Sequence, residues 1–287
     1  MHGIEIFESH LSCLADGRYL NDVIIDFYLE YLWRKLPVKR QQRIHIFPTF
    51  FWRKLQQNAN DTPEAKHARV ARWTRTIDLF EKDFVLIPIN EHSHWFLAIL
   101  CFPGLDGPIY ATDDENGNLR NDQAAPDTML KPKHGRLMIE PRIIILDSLR
   151  TGCDYETTKI LREYLTNEWR ARKPHTTAFR FVGLTDWVRA REKSMLRGIK
   201  GFYPTPPQQT NLLDCGVFLL EYAERFLNAG LPNWKIDGAI IDFGPNRGAA
   251  DLTNWFSPNR GKQKRSELYR LMMELAGQCQ EEKSSHC

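Results

Sequence analysis

The sequence predicts an α+β fold, and three observations carry that expectation. Phe84-Val85-Leu86-Ile87-Pro88-Ile89 and Trp95-Phe96-Leu97-Ala98-Ile99-Leu100-Cys101-Phe102 are apolar, β-branched and aromatic runs flanking the turn-like Asn90-Glu91-His92-Ser93, and Arg142-Ile143-Ile144-Ile145-Leu146 is a third such run. Behind Asn21 or Asp22, either of which can cap a helix, Leu20, Ile24, Phe27, Tyr28, Tyr31 and Leu32 fall on one helical stripe. Cys215-Gly216-Val217-Phe218-Leu219-Leu220 opens a strongly apolar helical segment behind a loop built of amide side chains.

The remaining elements follow in chain order. Basic sequence from Lys66 to Arg75 leads into the strand pair. Residues from about 110 to 140 are polar, with Asp, Asn, Gly and Pro and few bulky apolar groups, which reads as a surface insertion, disordered in part. The strand at 142–146 precedes a helix through Glu156–Trp169, and a second irregular insertion at about 173–205 precedes the cysteine helix. Beyond Asn228 the chain is loop-rich until a closing amphipathic helix near Ser266–Leu275. No repeat is visible and no Gly/Ser linker divides the chain. Because the candidate site draws on positions 94, 147 and 215, residues 1–287 are expected to form a single domain.

Composition narrows the function classes. An apolar content of 42% with eight tryptophans suits a packed core. A formal charge of +3 is too small to mark a nucleic-acid binder by bulk charge. No run approaches the roughly 18 apolar residues of a membrane span, and no signal-peptide pattern opens the chain. The six cysteines, at 13, 101, 153, 215, 279 and 287, form no C-x-x-C pair. Neither a metal site nor a disulfide framework is suggested, and a reducing compartment fits.

A thiol is a nucleophile only as thiolate, and a helix N-terminus is one of the few local devices that favours that form. Cys215 stands at such a place, and Gly216 beside it admits close approach by a backbone or a ligand. Upstream, Gln209 could donate its amide N–H to a developing oxyanion. The bland alternative is a buried structural cysteine after a Pro-rich turn. A nucleophilic thiol also needs a base, and the base needs an orienting group. Of nine histidines, His94 stands at the lip of a buried strand, rigidly held yet able to face a cleft; its rival His92 sits in the turn. Asp147 leaves the strand at 142–146, where it serves as the orienting carboxylate or simply as a capping or solvated end residue. Asp106, Asp113 and Asp114 lie in polar loop sequence and are poorer candidates. Strand-lip His, strand-end Asp and helix-start Cys together make a Cys/His/Asp constellation, which is recognised by role rather than chain order.

With these residues in hand, the chain resembles the ubiquitin-like-protein-specific proteases, the SUMO (sentrin) proteases of the papain-like cysteine protease class. The matching segments are Leu20-Asn21-Asp22-Val23-Ile24-Ile25-Asp26-Phe27-Tyr28-Leu29, His94-Trp95, Leu146-Asp147-Ser148, and Gln208-Gln209 with Asp214-Cys215-Gly216. More narrowly, it is similar to the vertebrate branch that edits SUMO chains, whose catalytic domain carries extra loops. That similarity rests on Ile46-Phe47-Pro48-Thr49-Phe50-Phe51, Arg72-Trp73-Thr74-Arg75, Cys101-Phe102-Pro103-Gly104, and Asn254-Trp255-Phe256-Ser257-Pro258 with Lys264-Arg265 after it. The resemblance implies a papain-like fold with a central mixed sheet flanked by helices. It implies a thiol isopeptidase that removes SUMO from conjugates and favours poly-SUMO chains, without metal or organic cofactor. It also implies SUMO and SUMO-conjugated proteins as partners, a nuclear setting that extends to the cytoplasm, and a monomer that binds neither nucleic acid nor membrane.

Roles carry over residue by residue. Cys215 attacks the carbonyl of a C-terminal glycine, His94 accepts and returns the proton, and Asp147 holds the imidazole. Gln209, with the backbone N–H of Cys215, binds the oxyanion. Trp95 forms one wall of a tunnel that only glycines can thread. The opposite wall in many relatives is a Trp just before Leu-Asn-Asp, and here it is Tyr19. Asp22 matches an acid that pairs with a basic residue near the substrate's C-terminus, and helix capping is its other reading. Two rivals remain. A deneddylase or other ubiquitin-like-protein protease fits the inserted loops less well, and a silent SUMO-binding scaffold has no need of all four catalytic residue types. The Arg/Lys-rich stretches at 66–75, 187–200 and 259–270 read as solvated faces, or in part as surfaces that meet an acidic partner such as SUMO.

Overall fold

A short helix, α1 (Glu8–Leu11), leads to α2 (Asp22–Lys35), and it is Asn21 that caps α2. Its side-chain oxygen accepts the Ile24 N–H at 2.9 Å, satisfying one of the donors that a helix start leaves over. Asp22 is instead the first helical residue, an acid in the first turn where the helix dipole favours it. The computed structural model describes residues 4–105, 109–113, 119–121, 136–139, 141–149, 154–172, 199–228, 235–236, 239–240 and 252–284.

The order continues with α3 (Val38–Arg43), β1 (Ile44–Ile46), α4 (Phe50–Leu55), α5 (Pro63–Val70), β2 (Phe84–Glu91), β3 (His94–Cys101), β4 (Ile109–Asp113), β5 (Leu119–Asn121), β6 (Arg136–Ile139) and β7 (Arg142–Leu146). It ends with α6 (Asp154–Arg172), β8 (Lys200–Phe202), α7 (Cys215–Asn228), β9 (Lys235–Ile236), β10 (Ala239–Ile240) and α8 (Arg260–Ser284). The central sheet has the order β1-β2-β3-β7-β8. Its outer pairings, β1 with β2 and β7 with β8, are parallel, while β2-β3 and β3-β7 are antiparallel, so the sheet is mixed and the fold α+β.

The sheet is apolar on both faces because helices cover both. Along β3, Trp95, Leu97, Ile99 and Cys101 join a core with α2 and α7, whereas Phe96, Ala98 and Leu100 join another with α4 and α6. That explains why these strands read as unbroken apolar runs rather than alternating ones. β2 and β3 are joined by a two-residue turn in which His92 and Ser93 take φ of 51° and 63°. Both lie in the left-handed region that the tightest hairpins require to match strand twist.

Three expectations change. The stretch at about 110–140, expected to be irregular, holds a three-stranded antiparallel sheet of order β5-β4-β6; its connecting residues 114–118 and 122–135 lie outside the described residues. Of the insertion at 173–205, residues 173–198 lie outside them too, and 200–202 form β8 on the main sheet. The closing helix runs over 260–284, well beyond the expected ten residues or so; in its basic start Lys262 is solvated, but Lys264 and Arg265 are not. Lys264 and Arg265 are 1% and 3% exposed, with Lys264 ion-paired to Glu221 at 3.2 Å and to Glu224, and donating to the Tyr28 hydroxyl at 2.9 Å. Among the described residues no helix is long and apolar enough to cross a membrane.

Candidate active site

The register of the sheet draws the first two candidates together. Leu97 pairs with Leu146, so the residue just past β7 falls beside the start of β3. There the His94 Nε2 and Asp147 Oδ1 lie 2.6 Å apart, both side chains buried. The Asp147 Oδ1 also accepts the Leu149 N–H at 2.9 Å, and its backbone carbonyl accepts from Gln208 Nε2 at 3.0 Å. His92, the rival base, is exposed in the turn.

Cys215 is the first residue of α7 and is 1% exposed. The Asp214 carbonyl accepts the Phe218 N–H at 2.9 Å, so the Cys215 N–H is among the helix-start donors left without an intrahelical acceptor. The second ring nitrogen of His94, Nδ1, is buried without a hydrogen bond of ordinary geometry among the described residues, yet Cys215 lies close enough to act on the ring. Burial disfavours the charged ring, but hydrogen bonding and charge from Asp147 and Cys215 outweigh it and push His94 up to about 9. The other described cysteines contrast with this. Burial pushes the Cys13 and Cys101 thiols up, which suits inert core positions.

Gln209 is buried and its amide orientation is fixed at both ends. Its Nε2 donates to the Asn211 carbonyl at 2.5 Å, and a carbonyl can only accept. Its Oε1 therefore faces Ser148, whose hydroxyl donates to it at 2.5 Å. The Gln209 N–H also donates to the Ser148 carbonyl at 3.2 Å, so the loop before Cys215 is tied to the residue after Asp147. One Gln209 N–H is thus engaged and the amide has a second to offer.

Trp95 is 2% exposed, and its indole N–H donates to the Leu20 carbonyl at 3.2 Å. The space beside it explains Gly216. A Cβ there would stand 3.0 Å from Leu20 Cβ, 3.3 Å from Trp95 Cδ1 and 3.4 Å from Ile25 Cδ1. The glycine thus serves close helix packing against the residues beside Tyr19, not the approach of a backbone. Tyr19 itself is 48% exposed, and Asp22 is exposed at the start of α2. The sequence reading missed the roles of Ser148, Asn211 and Asp214, and of Arg265, which donates to the Asp214 carboxylate at 2.8 Å. Among the described residues no group of three or more His, Cys, Asp or Glu could hold a metal ion.

A mixed sheet carrying a histidine at one strand start and an aspartate at its neighbour's end, with a cysteine opening the helix beside them, is the arrangement of a papain-like cysteine protease. The chain belongs to the Ulp1 protease family: the model of that family's C-terminal catalytic domain matches residues 18–251. It is 32% identical to sentrin-specific protease 7 of Rattus norvegicus over 99% of its own length and 28% of that protein. It is 31% identical to the probable ubiquitin-like-specific protease 2A of Arabidopsis thaliana, over 95% of this chain and 30% of the relative. The chain thus spans less than a third of the length of either. Among solved structures, a de-sumoylating protease superposes with a TM-score of 0.61 at 20% identity, covering 97% of this chain and 90% of that one. The SUMO protease Ulp1 with its catalytic cysteine oxidised to a sulfenic acid gives a TM-score of 0.56 at 18% identity, covering 96% and 87%. These two likenesses show the fold.

Proposed function

We propose that residues 1–287 act as one catalytic domain that removes SUMO from conjugates by thiol isopeptidase chemistry. The observation that carries the proposal is the 2.6 Å His94 Nε2–Asp147 Oδ1 pair beside Cys215. With Nε2 held by Asp147, Nδ1 is the nitrogen left to exchange a proton with the thiol. The Cys215 thiolate attacks the carbonyl carbon of the C-terminal glycine. The oxyanion is held by the free amide N–H of Gln209 and the backbone N–H of Cys215. His94 protonates the departing lysine Nζ, leaving a thioester, and then takes a proton from the water that hydrolyses it. No cofactor enters. The Gly-Gly tail runs between Tyr19 and Trp95, and Asp22 meets a basic residue near the SUMO C-terminus. The domain works as a monomer, in the nucleus and also in the cytoplasm.

We further propose that poly-SUMO is favoured over the SUMO precursor. The support is the β5-β4-β6 sheet, which leaves the main sheet between β3 and β7, the strands that carry His94 and Asp147. The test is incubation with poly-SUMO, SUMO precursor and poly-ubiquitin side by side, with wild type, Cys215→Ser and a variant in which a short Gly/Ser linker replaces 109–139. Cys215→Ser should lose cleavage and keep SUMO binding. Turnover by Cys215→Ser, or preferred cleavage of poly-ubiquitin, would end the functional reading. An unchanged ratio of chain to precursor cleavage in the linker variant would end the chain preference alone.

A further inference from the structure

Arg265 lies on α8, beyond residues 18–251 that the family model matches, and none of the roles above includes it. Its guanidinium is buried and all three of its nitrogens are engaged. Nε and Nη2 donate to the Asp214 Oδ1 at 3.1 and 2.8 Å. Nη2 also donates to the carbonyls of Arg18 at 2.7 Å and Leu213 at 3.3 Å. Nη1 donates to the carbonyls of Cys13 at 2.9 Å and Ala15 at 3.4 Å. One side chain therefore grips two separate strips of backbone: 13–18, which runs into Tyr19 and Leu20, and 213–214, which ends at Cys215.

The grip continues to the oxyanion donors. The Asp214 Oδ2 accepts from Asn211 Nδ2 at 2.7 Å. Asn211 Oδ1 accepts the N–H groups of Leu213 and Asp214 at 2.8 and 3.0 Å, which closes the loop on itself. The Asn211 carbonyl holds Gln209 Nε2 at 2.5 Å, and Ser148 holds the other end of that amide. An unbroken polar chain thus runs Arg265–Asp214–Asn211–Gln209–Ser148. A second observation points the same way. A Cβ on Gly261, one turn before Arg265, would collide with the Asp214 carboxylate, so α8 is seated directly on this loop.

We propose that Arg265 is a positioning residue for the reaction of Cys215, through Asp214 and Asn211. It sets where the Cys215 N–H and the Gln209 amide present their hydrogens, and it ties the Tyr19 strap to the same loop. A planar guanidinium suits this task because its fork reaches a carboxylate and several carbonyls at fixed angles, which a lysine ammonium cannot. The inference rests on the functional reading above, and the experiment separates the two.

Wild type, Arg265→Lys and Asp214→Asn are assayed with SUMO carrying a fluorogenic C-terminal amide, alongside melting temperature and the pH profile of Cys215 alkylation. The expected result is a fall in kcat of about tenfold or more, since small misplacements remote from the chemistry can cost on the order of 10²-fold. KM should stay within about threefold, the signature of an interaction made in the transition state. The pH midpoint of alkylation should hold, because His94 and Asp147 are untouched. A merely structural role would lower the melting temperature and leave kcat of the folded protein in place. Should Arg265→Lys fail to fold, Asp214→Asn keeps an oxygen for Arg265 but sets an amide NH2 against Asn211 Nδ2, so it breaks the chain one step further on and must show the same split. A folded variant of either kind with kcat within about twofold of wild type overturns the proposal. A wild type inert towards an electrophilic SUMO probe overturns the functional reading and this inference with it. A reactive wild type with full-speed variants overturns this inference alone.

Discussion

Asp147→Asn is the substitution whose consequence follows most directly from the site's electrostatics. His94 is held at about 9 against an ordinary 6.5, and each pKa unit corresponds to about 1.36 kcal/mol. The folded protein therefore favours the charged ring by roughly 3 kcal/mol, an upper figure because Asp147 and Cys215 share it. The folded pKa is raised above that of the unfolded chain. The stabilisation is accordingly complete below about pH 6.5 and is lost as pH climbs through about 9. Asparagine keeps the carboxylate's shape but removes its charge, leaving Cys215 alone to oppose burial. The assay is denaturant unfolding of both proteins at pH 6, 7.5 and 9, with the His94 titration followed by nuclear magnetic resonance. Wild type should lose stability more steeply than Asp147→Asn over that window, and the His94 midpoint should drop in the variant. Groups that titrate alike in both proteins cancel in the difference. Parallel stability curves, or one His94 midpoint for both proteins, would refute the assignment of Asp147 as the charge that holds the ring.

Two further outcomes follow from the geometry. Gln209→Ala should lower kcat by about 10²–10³, the usual cost of one oxyanion donor, with little change in apparent SUMO affinity; a change confined to KM would move Gln209 from the oxyanion to substrate binding. Gly216→Ala should cost about 1–3 kcal/mol by overpacking, because its new methyl meets Leu20, Trp95 and Ile25 at 3.0–3.4 Å. The denaturation midpoint measures it, and an unshifted midpoint would mean that the start of α7 is free to give way.

The elements that carry His94, Asp147 and Cys215 were legible because each candidate stands at an end that sequence marks. A turn precedes β3, an acid ends the β-branched run of β7, and an apolar helical run begins at Cys215. Asn211 and Asp214 were not legible as loop-fixing groups. Their work depends on a loop conformation that no periodicity announces. The β5-β4-β6 sheet was missed for a related reason: strands of three to five residues in polar sequence carry too little pattern to stand out from loop. Arg265 was misread by a sound default, since basic residues on helices are normally solvated. A finer signal was available. Lys264, Leu268 and Met272 are spaced by four and are all buried, so the two basic residues sit on or beside the stripe that packs inward.

The meeting of His94 and Asp147 depends on something neither residue encodes, the register between β3 and β7. Leu97 opposite Leu146 and Ile99 opposite Ile144 put like faces together, and continuing that pairing sets Asp147 opposite Phe96, two residues from His94. Side chains alternate across a strand, so His94 shares its face with Phe96, and Asp147 with Ile145. A slip of one residue would turn Asp147 to the other face of the sheet and send Ile143 and Ile145 into the wrong core. The apolar residues of β7 therefore enforce the register that the histidine–aspartate pair requires. An unremarkable buried strand is thus as necessary to the site as the side chains that compose it.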